Sequence, residues 1–268
     1  MAFRIFLWKC GEKCDILRAG NEREARPLKL LLIRHGDPDY EHDDLTETGK
    51  REAALLAERI AKLPVRDFYV SPLGRARATA APTLEKLHRT ATVCDWLREF
   101  SPRVQRPDSE RRSVSWDWLP QDWLQDPRFL LPEAWKENER FVEAGVGAEY
   151  DRVVGAFDAL LAEHGYVREG LSYRVERPNE DTLAFFCHYG VSCVLLSHLM
   201  NCSPMILWHG TVMTPSSVTL VHSEERRPGI AYFRAAELGD VSHLYAAGAE
   251  PSFSARFCET YGNGDRID

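Results

Sequence analysis

Two histidines each follow a short apolar run of the kind that forms a strand buried on both faces. The run 28–33 ends at Arg34 and His35, and the run 182–187 leads into His188. Ligands of open parallel sheets bind beyond the carboxyl ends of the strands, where both histidines are expected to lie. Arg34 would be costly to bury beside His35 without an anion or a carboxylate as partner. The pattern therefore singles out His35, His188 and Arg34 as the first candidates for chemistry.

Strand and helix patterns alternate along the rest of the chain. A helix is expected to begin after Thr46, a suitable N-terminal cap, and to carry apolar residues at helical spacing until Pro64 stops it. The other predicted elements are strands over 68–70, 91–94, 171–176, 217–222 and 230–234 and helices over 75–88, 149–164 and 191–200. This alternation predicts an α/β fold, a three-layer α/β/α sandwich with a mostly parallel central sheet.

The stretch from about residue 100 to 148 breaks this alternation. It contains several prolines, an arginine-rich start and four of the seven tryptophans, namely Trp116, Trp118, Trp123 and Trp135. Long connections in compact domains are usually functional, so we interpret it as an inserted cap with short helices of its own. Its tryptophans either form a small core or face a substrate as a lid. We expect residues 28–268 to form one domain with this insertion, and residues 1–27 an appendage of uncertain order.

Composition narrows the classes of function. The 268 residues carry a formal net charge of −7, so the field of the whole molecule repels nucleic acid and anionic membranes, and neither is expected as a partner. No run approaches the ~20 apolar residues that cross a bilayer, and no signal-peptide cleavage pattern is present. Seven cysteines without repeated spacing fit small buried residues in a reducing compartment. We therefore expect a cytoplasmic protein with no metal site and no cofactor.

Four short motifs carry more information together than separately. They are Leu31-Leu32-Ile33-Arg34-His35-Gly36, Leu45-Thr46-x-x-Gly49, Ser71-Pro72-Leu73-x-Arg75-Ala76-x-x-Thr79-Ala80 and His188-x-Gly190. In this order and in this strand–helix context they resemble the histidine phosphatase superfamily, which has the phosphoglycerate-mutase-like fold. The resemblance covers about residues 28–99 and 182–234 and leaves the tail and the cap without a match.

The resemblance implies a role for each of these polar residues. His35 is implied to be the nucleophile that takes the phosphoryl group, with Arg34 and Arg75 holding its oxygens. His188 is implied to donate to the same oxygens and to help keep the pocket cationic. The chemistry agrees, because phosphoryl transfer needs positioning and positive charge, which two guanidiniums provide without a metal. To attack, His35 needs an acceptor for its second nitrogen, and the Gly36 carbonyl is a natural one.

A carboxylate must protonate the leaving group and then take a proton from water. The resemblance points to Glu99, which follows the third predicted strand in the context Leu97-Arg98-Glu99-Phe100. Asp108 and Glu110, in the same arm, are its rivals. The arginines of this arm form either a second anion site or local ion pairs in solvent, and they are Arg98, Arg103, Arg106, Arg111 and Arg112.

The first motif departs from that of the phosphoglycerate mutases. These usually continue as Gly-Glu-Ser/Thr-x-Trp-Asn, whereas this chain has Gly36-Asp37-Pro38-Asp39-Tyr40, in which Pro38 lacks an amide donor. We therefore expect a metal-independent hydrolase of a small phosphomonoester that works through a phosphohistidine on His35. The alternatives are a phosphoglycerate-mutase-type phosphotransferase and a catalytically idle relative that binds a phosphorylated partner.

Overall fold

Twelve strands occur in residues 27–254, the part of the chain that the computed structural model describes. In chain order they are β1 (Lys29–Arg34), β2 (Pro38–Asp39), β3 (Asp44–Leu45), β4 (Asp67–Val70), β5 (Thr92–Val93), β6 (Arg103–Gln105), β7 (Arg112–Val114), β8 (Tyr166–Glu169), β9 (Ser172–Val175), β10 (Thr182–Cys187), β11 (Val218–Arg227) and β12 (Ile230–Asp240). Apart from Pro27, the predicted appendage lies outside the described residues.

Eight of these strands form one sheet, in the order β5-β4-β10-β1-β11-β12-β9-β8. The strands β5, β4, β10 and β1 are parallel, whereas the four strands beyond β1 pair antiparallel. The parallel core confirms the predicted α/β class, and the antiparallel part begins with the predicted hairpin, β11–β12. The predicted strand over 91–94 is shorter than expected, because β5 consists of two exposed residues at the edge of the sheet.

The predicted helices are confirmed to within a few residues at their ends. The helices are α1 (Glu47–Ile60), α2 (Gly74–Leu87), α3 (Pro120–Trp123), α4 (Glu139–Glu143), α5 (Val146–Glu163), α6 (Tyr189–Met200), α7 (Pro204–Gly210) and α8 (Ser242–Tyr245), with 3-10 turns at Asp95–Leu97, Pro127–Leu130 and Ala134–Glu137. Thr46 caps α1 as predicted, since its hydroxyl accepts from the Gly49 amide at 3.1 Å. Within residues 27–254, every helix is too short or too polar to cross a bilayer.

Alternate residues of β1 face two different helical layers. Leu30 and Leu32 join one hydrophobic cluster, with residues of α5 and α6, whereas Leu31 and Ile33 join a second, with residues of α1 and α2. Both faces of the strand are therefore buried, as expected for a parallel strand between two layers of helices. Cys187, at the end of β10, is a small buried residue of the first cluster, as predicted.

The segment 100–148 folds onto the domain rather than apart from it. It contains the hairpin β6–β7, the short helices α3 and α4 and two of the 3-10 turns, in agreement with the prediction. Trp118, Trp123 and Trp135 are buried in the same hydrophobic cluster as α5 and α6. The centroid of the Trp135 ring lies 4.9 Å from that of Tyr150 in α5. Three of the four tryptophans therefore belong to a core that the cap shares with the sheet.

Replacing Trp135 by alanine tests this shared core. The side chain is fully buried, so its removal should lower the free energy of unfolding by about 3–5 kcal/mol. Circular dichroism and tryptophan fluorescence should report one coincident denaturant transition in wild type and variant. Leu131→Ala is the control, because Leu131 lies in the same segment but is 52% exposed, and it should change stability by less than about 0.5 kcal/mol. A separate, earlier transition of the cap would contradict the shared core.

Candidate active site

The pairing of β1 with β10 brings the two candidate histidines together. The strands are parallel with Arg34 opposite Cys187, so His35 and His188 leave neighbouring strands at the same edge of the sheet. The His35 amide donates to the Cys187 carbonyl at 3.0 Å, and the two ring centroids are 5.1 Å apart. Both side chains are buried. The structure therefore places the two strand-end histidines beside each other.

His35 keeps one ring nitrogen available. Its Nδ1 lies 2.8 Å from the carbonyl oxygen of Gly36, the expected acceptor. Because a carbonyl oxygen can only accept, Nδ1 carries the proton, so the lone pair of the neutral ring lies on Nε2. Burial above all, and then Arg34 and Arg75, hold the pKa of His35 well below the ordinary histidine value. The neutral ring is therefore favoured, with Nε2 in the form required of a nucleophile.

The two arginines come from different elements. Arg34 is the last residue of β1 and is buried, with its Nη1 donating to the Met213 carbonyl at 2.5 Å. Arg75 lies in the first turn of α2, and its Nη1 is 2.6 Å from Asp43 Oδ1. Both guanidiniums lower the pKa of His35. Positive charge is therefore concentrated around the His35 ring.

The loop that follows β1 holds both arginines, a feature that sequence reasoning missed. The Asp43 carboxylate accepts from the Gly74 amide at 2.7 Å as well as from Arg75. A Cβ on Gly74 would lie 2.0 Å from the Asp43 carbonyl oxygen, so this close approach requires glycine. The centroid of the Tyr40 ring lies 5.5 Å from the Arg75 guanidinium, and the Tyr40 hydroxyl is hydrogen-bonded to Arg34. The loop thus holds the guanidiniums of Arg34 and Arg75 through Asp43 and Tyr40.

The two ring nitrogens of His188 lie in different environments. Its Nε2 lies 2.8 Å from the Ser71 hydroxyl, whereas Nδ1 is buried without a hydrogen-bond partner among the described residues. Burial first, and then the charges of His35, Arg75 and Arg34, hold the pKa of His188 well below the ordinary value. The neutral imidazole is therefore favoured in the unliganded site. Ser71, directly after β4, is a second residue whose role the sequence did not indicate.

The carboxyl of Glu99 lies against the first turn of α6. Its Oε1 accepts from the amides of Phe100 at 2.7 Å and Val191 at 3.0 Å. Protein surrounds the carboxyl group, although part of the residue reaches solvent, and this burial raises the pKa of Glu99 above the ordinary glutamate value. The backbone amides and the two arginines oppose the shift without cancelling it. The upward shift keeps the Glu99 carboxyl protonated to higher pH than an ordinary glutamate, as a general acid requires.

The rivals of Glu99 lie in ion pairs or in solvent. Asp108 pairs with Arg106 at 2.5 Å, and Arg106 also pairs with Asp117 at 2.8 Å. Glu110 is exposed. Two further arginines of this arm also form ion pairs, Arg98 with Asp95 and Arg112 with Glu143. Local ion pairing thus explains Arg98, Arg106 and Arg112 better than a second anion site. Among residues 27–254, no three metal-ligating side chains are grouped as a metal site requires.

The cap reaches the site through Trp116. Its indole Nε1 donates to the Phe100 carbonyl at 2.7 Å, and its ring meets that of Tyr189 edge-on with centroids 5.8 Å apart. A Cβ on Gly190 would lie 2.6 Å from this indole nitrogen and 2.7 Å from Glu99 Oε1. The glycine of the fourth motif therefore makes room for both groups against α6. Unlike the three core tryptophans, Trp116 lies beside a candidate catalytic group.

Comparisons with known proteins identify the family. The model of the histidine phosphatase superfamily (branch 1) matches residues 30–235. A probable phosphatase of Schizosaccharomyces pombe is 37% identical over 82 residues, which are 27% of this chain and 39% of that protein. The 2,3-bisphosphoglycerate-dependent phosphoglycerate mutase 1 of Arabidopsis thaliana is 27% identical over 129 residues, 45% of this chain and 36% of that protein. The chain thus aligns with less than half the length of these curated relatives.

The fold also recurs among solved structures. The phosphoserine phosphatase of Entamoeba histolytica, in complex with 3-phosphoglyceric acid, is similar with a TM-score of 0.52 and 18% identity, covering 81% of this chain and 99% of that one. At this identity the similarity concerns the fold, and it agrees with the sandwich described above. Since the family model spans most of the chain and includes all the candidate site residues, the chain belongs to the histidine phosphatase superfamily, branch 1.

Proposed function

We propose that this chain is a metal-independent hydrolase of small phosphomonoesters that works through a phosphohistidine on His35. The observation that carries the proposal is the hydrogen bond from His35 Nδ1 to Gly36, which leaves the lone pair on Nε2 in the neutral ring that burial favours. Such a nucleophile needs no metal-bound water, and two guanidiniums supply the charge that a phosphate dianion requires. The cytoplasm is proposed as the compartment, since the buried free thiols fit a reducing environment.

In the first step, His35 Nε2 attacks phosphorus, and the bond between phosphorus and the leaving oxygen breaks. Charge spreads over the three equatorial oxygens, which Arg34 and Arg75 bind while His188 donates from Nδ1. Glu99 gives its proton to the leaving oxygen, so the product departs as a neutral alcohol. The phosphoryl group is then attached to His35.

In the second step, the Glu99 carboxylate takes a proton from water while the water oxygen attacks phosphorus. The bond between nitrogen and phosphorus breaks, and His35 regains its lone pair as inorganic phosphate leaves. Glu99 is then protonated again and ready for the next cycle. One carboxyl can serve both steps because burial brings its pKa upward, toward neutral pH.

The loop after β1 favours hydrolysis over transfer of the phosphoglycerate-mutase type. The Asp37 amide donates to Glu52 at 2.8 Å, and its carboxylate accepts from the Thr46 hydroxyl at 2.6 Å. Pro38, the next residue, has no amide proton. These polar groups form hydrogen bonds that hold the loop itself. They are therefore not available to bind a substrate that reorients between two transfers.

His35→Ala should abolish the hydrolysis of p-nitrophenyl phosphate in excess EDTA, a loss of ~10³-fold or more, because no atom remains to accept the phosphoryl group. The wild type should be inhibited by vanadate and should give an acid-labile phosphoenzyme in rapid-quench experiments. His222→Ala is the matched control, since His222 is a half-buried histidine on β11 outside the site. It should retain full activity.

The outcomes separate the alternatives. Turnover that survives in His35→Ala would refute His35 as nucleophile. A wild type that is inactive on p-nitrophenyl phosphate but interconverts phosphoglycerates would establish the phosphotransferase instead. A wild type with neither activity that still binds vanadate in calorimetry would establish the idle, phosphate-binding relative.

Glu99→Gln should remove the acid of the first step. The variant should lose about 10²–10⁴-fold in kcat/KM for glycerol phosphate, whose alkoxide is a poor leaving group, and much less for p-nitrophenyl phosphate. The lowered pKa of His35 keeps the nucleophile neutral to unusually low pH, and the raised pKa of Glu99 keeps the acid protonated to unusually high pH for a glutamate. For glycerol phosphate, kcat/KM should therefore fall as pH rises through the Glu99 pKa.

In Glu99→Gln this fall of kcat/KM at high pH, the alkaline limb of the profile, should be absent, because the amide does not titrate. Steady-state kinetics with both substrates over a range of pH measure it. Equal losses for good and poor leaving groups, or an unchanged alkaline limb, would assign the acid to another group.

Gly190→Ala tests the position of the Glu99 carboxyl. The added methyl would lie 2.7 Å from Oε1, so the carboxyl must move. We expect about 1–3 kcal/mol of destabilisation and a loss of glycerol phosphate turnover. Gly155→Ala is the matched control, because Gly155 lies on an exposed face of α5 with open space around its Cβ, and it should stabilise the protein by about 0.5–1 kcal/mol. Wild-type turnover in Gly190→Ala would contradict the assigned geometry.

A further inference from the structure

The hydrogen bonds of His188 leave one ring nitrogen for a ligand. Its Nε2 is 2.8 Å from the Ser71 hydroxyl, whereas Nδ1 is buried and makes no hydrogen bond among the described residues. Buried polar atoms are almost always satisfied in native proteins, and an orphan at a candidate active site indicates that a ligand completes it. Nδ1 is therefore the atom with which His188 would meet a substrate.

Ser71 determines whether that atom is a donor or an acceptor. The serine is fully buried, and its oxygen accepts from the Leu73 amide at 3.3 Å. Its one proton therefore has to be donated, and the acceptor that the described structure provides is His188 Nε2. Protonation of Nε2 instead would leave the serine proton without an acceptor and would turn Nδ1 into a bare lone pair. The contacts thus favour the tautomer with the proton on Nδ1.

We propose that Ser71 is a positioning residue that fixes His188 in the Nδ1–H tautomer, so that a neutral imidazole donates a hydrogen bond to the transferring phosphoryl group. The inference rests on the proposed function, which supplies the phosphoryl oxygens as the acceptor. In the other tautomer, the Nδ1 lone pair would face the same oxygens and repel them. Ser71 therefore acts on the reaction through His188 and does not touch the substrate itself.

The two histidines then share one tautomer and present opposite chemistry. His35 donates its Nδ1 proton to Gly36 and offers the Nε2 lone pair to phosphorus. His188 accepts on Nε2 from Ser71 and offers the Nδ1 proton to a phosphoryl oxygen. Because both rings are neutral, they can lie 5.1 Å apart without mutual repulsion while providing a nucleophile and a donor. The lowered pKa of each ring agrees with this arrangement.

Histidine-selective nitrogen NMR of the full chain reads the tautomer directly, with a His188→Gln variant to assign the signals. In the wild type we expect a protonated Nδ1 and an unprotonated Nε2 on His188. Ser71→Ala should lose this preference, and Ser71→Thr, which keeps the hydroxyl, should restore it. Ser192→Ala is the matched control, since Ser192 is also buried but donates to the His188 carbonyl at 2.7 Å rather than to the ring. It should leave the tautomer unchanged.

Kinetics provide a second readout. Ser71→Ala should lower kcat for p-nitrophenyl phosphate by up to about 10²-fold, the loss typical of one donor to a developing oxyanion. KM should change much less, and Ser71→Thr should recover activity together with the tautomer. A kcat loss without a change in the tautomer would refute positioning as its cause.

A wild-type His188 with its proton on Nε2, or an unchanged spectrum in Ser71→Ala, would overturn the proposal. If Ser71→Ala fails to fold, the wild-type spectrum still tests the tautomer on which the proposal depends. An inactive wild type that shows the Nδ1–H tautomer would refute the proposed function while supporting the hydrogen-bond arrangement. The two failures are therefore distinguishable.

Discussion

The register of β1 against β10 is the constraint on which the site depends. Each residue of β1 pairs with one of β10, and the ladder continues past the end of β1 through the bond from the His35 amide to the Cys187 carbonyl. The two strands separate immediately afterwards, where α6 begins with His188 as its N-terminal cap. A slip of one residue would turn the side chain of His35 to the opposite face of the sheet. The apolar residues on both faces of β1 therefore specify the geometry of the site as well as the core.

Burial is the second constraint, and it shifts the pKa of three ionisable groups at the candidate site. Desolvation disfavours the charged form of His35, His188 and Glu99, so it lowers the pKa of the two histidines and raises that of the glutamate. Each shift favours the form that the proposed mechanism uses, which is a neutral nucleophile, a neutral donor and a protonated acid. The two guanidiniums supply the positive potential that a phosphate dianion requires. One physical cause thus acts on three groups with different proposed roles.

The sequence predicts the parts of this arrangement that depend on local pattern. The runs 28–33 and 182–187 predict buried strands and hence the place of His35 and His188, and helical spacing predicts α1, α5 and α6. Contacts between distant segments leave no such pattern. Ser71 lies 117 positions from the His188 ring that it contacts, and Asp43 is 32 positions from Arg75. The lowered pKa of His188 also leaves no pattern in the sequence, because it depends on how deeply the folded chain buries the ring.

The cap and the loop after β1 each place one aromatic side chain beside the candidate site. Both side chains lie outside the four motifs, which contain the candidate phosphate-binding groups. Tyr40 lies over Arg75 from the loop, and Trp116 lies against Gly190 from the cap. Hydrogen bonds of Asp37 anchor the loop, because its amide donates to Glu52 and its carboxylate accepts from the Thr46 hydroxyl.

The Ser252 amide donates to the other oxygen of Glu52 at 3.1 Å, and its hydroxyl donates to Asp37. The start of α1 and the distant Ser252 thus converge on Asp37 and hold the loop that carries Tyr40. Pro38, which has no amide proton, and the hydrogen bonds of Asp37 to the protein itself set this loop apart from the motif typical of phosphoglycerate mutases. The loop thereby holds Tyr40 beside the Arg75 guanidinium.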